Sequence, residues 1–205
     1  MDTLAITSIT NFLLASELFF LAGLMVRTPM ARFSAAWLWA GAMIALATSA
    51  LIGGIDHGFV EPAGVSRYWI QRPNWIVVGL VTLCMLLAMS RQFLAPRWHL
   101  PVLALGTMQL VAYTMLVLQI EDFRIVIANY LPVILTLLLL SIRGTRHGRG
   151  SWQMVAGILL LLGASIVQIV RVDVFSPVSA DGLYHLISMA GVVFMYLGGQ
   201  RLKVT

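Results

Sequence analysis

Three side chains carry the chemistry this sequence can offer. His57 stands in Gly53-Gly54-Ile55-Asp56-His57-Gly58, and Asp181 and His185 stand in Asp181-Gly182-Leu183-Tyr184-His185. Asp181 precedes His185 by four residues, so both side chains share one face of a helix. Zinc accepts imidazole nitrogen and carboxylate oxygen, and a catalytic zinc takes three protein ligands and leaves one position open for water. His57, Asp181 and His185 supply that count. Zinc held there brings the pKa of its water down to about 7, making hydroxide available for hydrolysis. Asp56, Asn74 or Asp173 can orient a ligand imidazole, and either acid can accept a proton from the water.

Each of the three also has a structural reading. Asp181 follows Ser179 in the first turn of a helix, where an acid caps free amides and favours the dipole. His57 follows the last turn of a helix, where a cation is favoured. His185 lies about one turn inside an apolar segment, where an ionisable group marks a functional site by default.

The frame that must position these residues is a membrane bundle. The chain has 205 residues, 60% of them hydrophobic and 10% charged, with a mean hydropathy of +0.93. A soluble domain carries about 25% charged residues. The single cysteine, Cys84, excludes an intrachain disulfide and a cysteine-rich metal site. The net charge of +5 comes from arginine, with Lys203 the only lysine. Loop charges that orient helices explain it better than a nucleic-acid partner does. The first apolar run begins almost at Met1, behind Asp2 and without a basic leader, so no signal peptide is expected.

Seven apolar runs are long enough to cross a bilayer, at about 3–26, 33–55, 74–91, 99–120, 124–142, 151–172 and 181–199. The expected architecture is one all-α domain over residues 1–205, a seven-transmembrane-helix bundle. Only Glu121-Asp122-Phe123 separates the fourth and fifth runs, which reads as a tight helical hairpin. The loops after runs one, three and five and the C-terminal tail hold nine basic residues: Arg27, Arg32, Arg91, Arg97, Arg143, Arg146, Arg149, Arg201 and Lys203. The other side holds four: Arg67, Arg72, Arg124 and Arg171. The positive-inside rule therefore places the C-terminus in the cytoplasm and the N-terminus outside. A multi-pass protein of a bacterial inner membrane, or its equivalent, is expected. His57, Asp181 and His185 then share the extracytoplasmic end.

Other polar groups collect at that end, among them Glu61, Glu121, Asp122, Gln168 and Arg171. Asn11 is placed to line the floor of a cavity there. The loop 58–72, with Tyr68 and Trp69, reads as an ordinary connection with aromatic interface anchors, or as a cap over the end. Glu17 lies about 21 Å below the outer end of its helix, too deep to share the site. A retinal site is excluded because Lys203 lies in the tail; GxSxG, HExxH and a phosphate-binding glycine loop are absent. Gly191, Gly198 and Gly199 read as close helix packing.

On these residues the chain resembles the CREST superfamily, seven-span proteins that include alkaline ceramidases and the progestin and adipoQ receptors. In that family a histidine near the end of span two and an HxxxH pair at the start of span seven bind zinc. His57 matches the first by place. His185 matches the second histidine of the pair, in an aromatic–His–Leu context, and Asp181 stands where the first would be. The family's serine four residues before the span-two histidine is Gly53 here, and its acid near the start of span three is Asn74. The resemblance implies zinc-dependent hydrolysis of a lipid amide or ester. It assigns His57, Asp181 and His185 as ligands, Asp56 as proton handler and Asn74 as orienter. The polar cluster alone is equally consistent with a non-catalytic, receptor-like bundle that binds a lipid or other small ligand, and a haem between His57 and His185 is a third arrangement.

Overall fold

The computed structural model describes residues 3–27, 29–148, 150–171 and 178–204; Asp2, Arg149 and Asp173 lie outside them. Among the described residues seven helices are long and apolar enough to cross a membrane. They are α1 (Thr3–Val26), α2 (Ala35–Ile55), α3 (Tyr68–Phe93), α4 (His99–Gln119), α5 (Arg124–Thr145), α6 (Trp152–Val170) and α7 (Ala180–Gly199). The architecture is that of a multi-pass membrane protein.

Two boundaries depart from the sequence expectation, both beside the site. Helical structure does not stop before His57, because α2 runs on into a π-helical turn at Asp56–Val60. Its closing bond runs from the Glu61 N–H to the Asp56 carbonyl at 2.8 Å. Such single π turns gather at functional sites more often than ordinary helix ends do. The third helix begins at Tyr68, six residues before Asn74, with Pro73 inside it. Pro73 is the sixth residue of α3, past the first-turn N–H groups that lack partners, so it removes one intrahelical bond. The expected stretch 58–72 is thereby reduced to a connection of a few residues. The hairpin between α4 and α5 forms where expected, and Asp122 closes it by accepting from the Arg124 backbone N–H at 2.9 Å. The Arg124 side chain donates there too, and these bonds hold the Asp122 carboxyl below the usual carboxylate range.

Water does not drive one helix against another inside lipid, so small residues and close packing must do it. The α6–α7 pair is the clearest case. A Cβ at Gly157 would lie 2.8 Å from the Gly191 carbonyl oxygen, and one at Gly198 would lie 2.8 Å from the Met154 backbone nitrogen. Large side chains then fill the centre, with Leu18, Trp39, Ile158, Val192 and Met195 all buried. A second apolar cluster joins α3, α4 and α5 through Trp75, Tyr113, Val117 and Val126. The Tyr113 hydroxyl donates to the Trp75 carbonyl at 2.7 Å. By contrast, α5 and α6 touch sparsely, and their seam opens at one end.

Candidate functional site

The polar residues gather at the end of the bundle where α1 begins. Helix α1 organises them because it packs on α2 with one face and on α7 with another. Towards α2, the Ser8 hydroxyl donates to the Gly54 carbonyl at 2.8 Å. Asn11 is buried, and its Nδ2 donates to the Thr7 carbonyl at 3.1 Å. A Cβ on Gly53 would come within 3.1 Å of the Asn11 Oδ1. Gly53 therefore makes room for an amide from the neighbouring helix, so the polar group at this level comes from α1. Towards α7, Thr7 and Ser179 share a hydroxyl–hydroxyl bond of 3.1 Å. Ser179 also caps α7 by accepting from the Gly182 N–H at 3.2 Å.

His185 is buried at this second contact, with Nδ1 3.0 Å from the Thr10 Oγ1. The same hydroxyl lies 3.0 Å from the carbonyls of Ile6 and Thr7. The hydroxyl has one proton, which either carbonyl or the imidazole can accept, so Thr10 holds the ring through Nδ1 in either tautomer. The ring is thereby fixed by a neighbour at Nδ1, with Nε2 on its far side. Thr10 carries no signal in the sequence: a threonine in an apolar helix ordinarily bonds back to the preceding turn, and it does that here as well.

His57 is held in the same sense by a different partner. Its Nδ1 lies 2.6 Å from the Glu61 Oε2. Glu61 also pairs with Arg67 at 3.0 Å. An ionised carboxylate only accepts, so His57 carries its hydrogen on Nδ1. The π turn makes this contact by keeping residues 57–61 helical. Arg67 is the hub of the cluster. It grips the buried Asp56 carboxylate through Nε at 2.9 Å and Nη2 at 2.7 Å. The Asp56 hydrogen bond, more than any other contact, raises the Arg67 guanidinium further above its ordinary range.

The proposed site residues thus stand in separate arrangements. Asp56 is engaged by Arg67 and makes no hydrogen bond to either histidine. The Asn74 Oδ1 accepts from the Ser49 hydroxyl at 2.6 Å, tying α3 to α2. Asp181 accepts from the Gln168 Nε2 at 2.9 Å, tying α7 to α6. Among the described residues no group of three His, Cys, Asp or Glu side chains is gathered tightly enough to hold a metal ion. The donor chemistry suits zinc in one respect. Each histidine has one nitrogen oriented by a neighbour and one left over, the pattern of a metal-ligating imidazole. Glu17 stands apart in α1, with a buried Oε2 that has no hydrogen-bond partner among the described residues.

Beside Asp181 lies a cleft of about 720 Å³. Phe123, Ile127 and Tyr130 of the α5 side form one wall, and Ser165, Gln168, Ile169 and Arg171 of the α6 side form the other. Ser179, Ala180 and Asp181 close it at the start of α7. Ile169 is 68% exposed and Phe123 50% exposed, so large apolar side chains stand at its mouth. Neither His57 nor His185 lines it. No sequence signal marks this space, because it depends on how loosely α5 meets α6.

A model described as a family of unknown function (DUF6962) matches residues 6–204. No curated protein and no solved structure matches the chain.

Proposed function

The chain belongs to this family of unknown function, and we propose that it is a membrane protein that binds an amphipathic small molecule entering from the lipid. The cleft carries this reading. Its volume of about 720 Å³ falls in the range of small-molecule sites, about 300–1,000 Å³. Apolar walls from Phe123, Ile127 and Ile169 suit an acyl chain, and Tyr130, Gln168 and Asp181 suit a polar head. On the loop charges we propose that this end lies outside the cytoplasm, so the ligand would come from the outer leaflet of a bacterial inner membrane or its equivalent. Purified protein in a nonionic detergent is expected to bind a monoacylglycerol. Ser165→Trp, which pushes an indole into the cleft, is expected to weaken that binding at least about tenfold while the protein stays folded. Equal binding by a folded Ser165→Trp variant would remove the cleft from the account.

A second reading is zinc-dependent hydrolysis of a lipid amide or ester. It is favoured by two histidines each held through Nδ1 by a neighbour, and by the resemblance to the CREST superfamily. His57, Asp181 and His185 would hold the ion, which would supply hydroxide at neutral pH. Glu61, Thr10 and Gln168 would orient the three ligands. Among the described residues the three side chains are not gathered about one point. Metal analysis decides: this reading expects about one zinc per wild-type chain and its loss in His185→Ala. The same near-zero content in both would end it.

A further inference from the structure

Arg171 and Asp181 line the same cleft. They carry opposite charges, and among the described residues no ion pair joins them. Asp181 has one hydrogen bond, from Gln168, and its second oxygen is left over. Arg171 makes no side-chain hydrogen bond or ion pair to a described residue, and it is exposed at the rim. Its backbone is left-handed, at φ 53° and ψ 54°, where it ends α6. Glycine or asparagine is the usual occupant of such a cap. The position therefore holds a long cation where a residue chosen for backbone comfort would have none.

A ligand complementary to this pair carries the pair reversed. An oxyacid anion meets the Arg171 guanidinium, which presents a planar fork of donors suited to carboxylate or phosphate. A group with N–H donors meets the free Asp181 oxygen. A purely anionic head would satisfy Arg171 but bring like charge towards Asp181. A neutral head would leave Arg171 unanswered. We propose that the cleft selects amphiphiles with a zwitterionic head, an oxyacid anion on Arg171 and an N–H-bearing cation on Asp181, with the acyl chain against Ile127 and Ile169. This rests on the cleft being a binding site and adds which head it takes.

Three lipids of equal chain length separate the two ideas: a lysophosphatidylethanolamine, a lysophosphatidic acid and a monoacylglycerol. Their affinities are measured for the full-length protein in nonionic detergent. The wild type is expected to bind the ethanolamine lipid at least about tenfold tighter than either of the others, the size expected of one charge-assisted contact. In Arg171→Gln the ratio of ethanolamine lipid to monoacylglycerol should fall to about one. In Asp181→Asn the ratio of ethanolamine lipid to lysophosphatidic acid should do the same. Equal wild-type affinity for all three lipids overturns the head-group selection and leaves the cleft standing. A tenfold preference that survives in Arg171→Gln also overturns it. Failure of every lipid to bind overturns the cleft reading as well.

Discussion

Arg67→Ala is expected to destabilise the protein by about 2–3 kcal/mol, somewhat less than the about 3–5 kcal/mol for stripping one partner from a fully buried pair. Asp56 is only 5% exposed, and Arg67 supplies both of its short hydrogen bonds, at 2.9 and 2.7 Å. Without the guanidinium a carboxylate is left uncompensated in a poorly hydrated layer, which costs far more than a lost surface pair. Glu61 loses a partner in the same change, so the carboxylate that orients His57 is loosened too. The discount from the fully buried case follows from the partial exposure of Arg67, 27% at its side chain. In detergent, the thermal midpoint should fall by about 5–10 °C. Adding Asp56→Asn should restore much of it, because a neutral amide needs no counter-ion. An unchanged melting curve for Arg67→Ala would show that this cluster does not hold the end of the bundle together.

Two glycines of α6 should respond in opposite directions to the same substitution. Gly157→Ala puts a methyl group 2.8 Å from both the Gly191 carbonyl oxygen and the Met195 backbone nitrogen. Backbone atoms of a packed helix cannot step aside, so α7 must move. Overpacking of this kind costs about 1–3 kcal/mol, and the seam runs through Met195 and Ile158 of the central core. Gly163→Ala meets nothing within 4 Å. It only replaces a poor helix former by the best one, a gain of up to about 1 kcal/mol. Thermal melts of the two variants should therefore bracket the wild type. Gly157→Ala at or above the wild-type midpoint would contradict the close α6–α7 approach.

Much of the fold was legible in the sequence because it follows from length and hydropathy alone. A run such as 3–26 has no other stable form in lipid, where every backbone group must be paired within the segment. The places where legibility failed have physical causes. The second apolar run ends at Ile55 in the sequence, whereas α1 packs on that stretch and helical structure continues beyond it in a π turn. Glu61 was visible as a loop acid, but its hold on His57 depends on that turn continuing. The third apolar run starts near Asn74, after Arg72-Pro73, whereas α3 begins at Tyr68 and carries Pro73 inside it. Thr10 and Gln168 act on His185 and Asp181 across helix interfaces, and no local spacing announces such contacts. The four-residue step from Asp181 to His185 was correctly a shared helix, yet the two side chains find different partners. One faces Thr10 on α1, and the other faces Gln168 on α6. The cleft is a property of helix association, so no single segment encodes it.

The most direct measurement labels the cleft itself. A monoacylglycerol with a diazirine in its acyl chain is added to purified protein, irradiated and mapped by peptide mass spectrometry. Labels are expected to concentrate on the start of α5, around Phe123 to Tyr130, and on the end of α6, around Ser165 to Arg171, and to be lost in Ser165→Trp. Labels spread evenly over the lipid-facing surface of α4, and unchanged in Ser165→Trp, would contradict binding in the cleft.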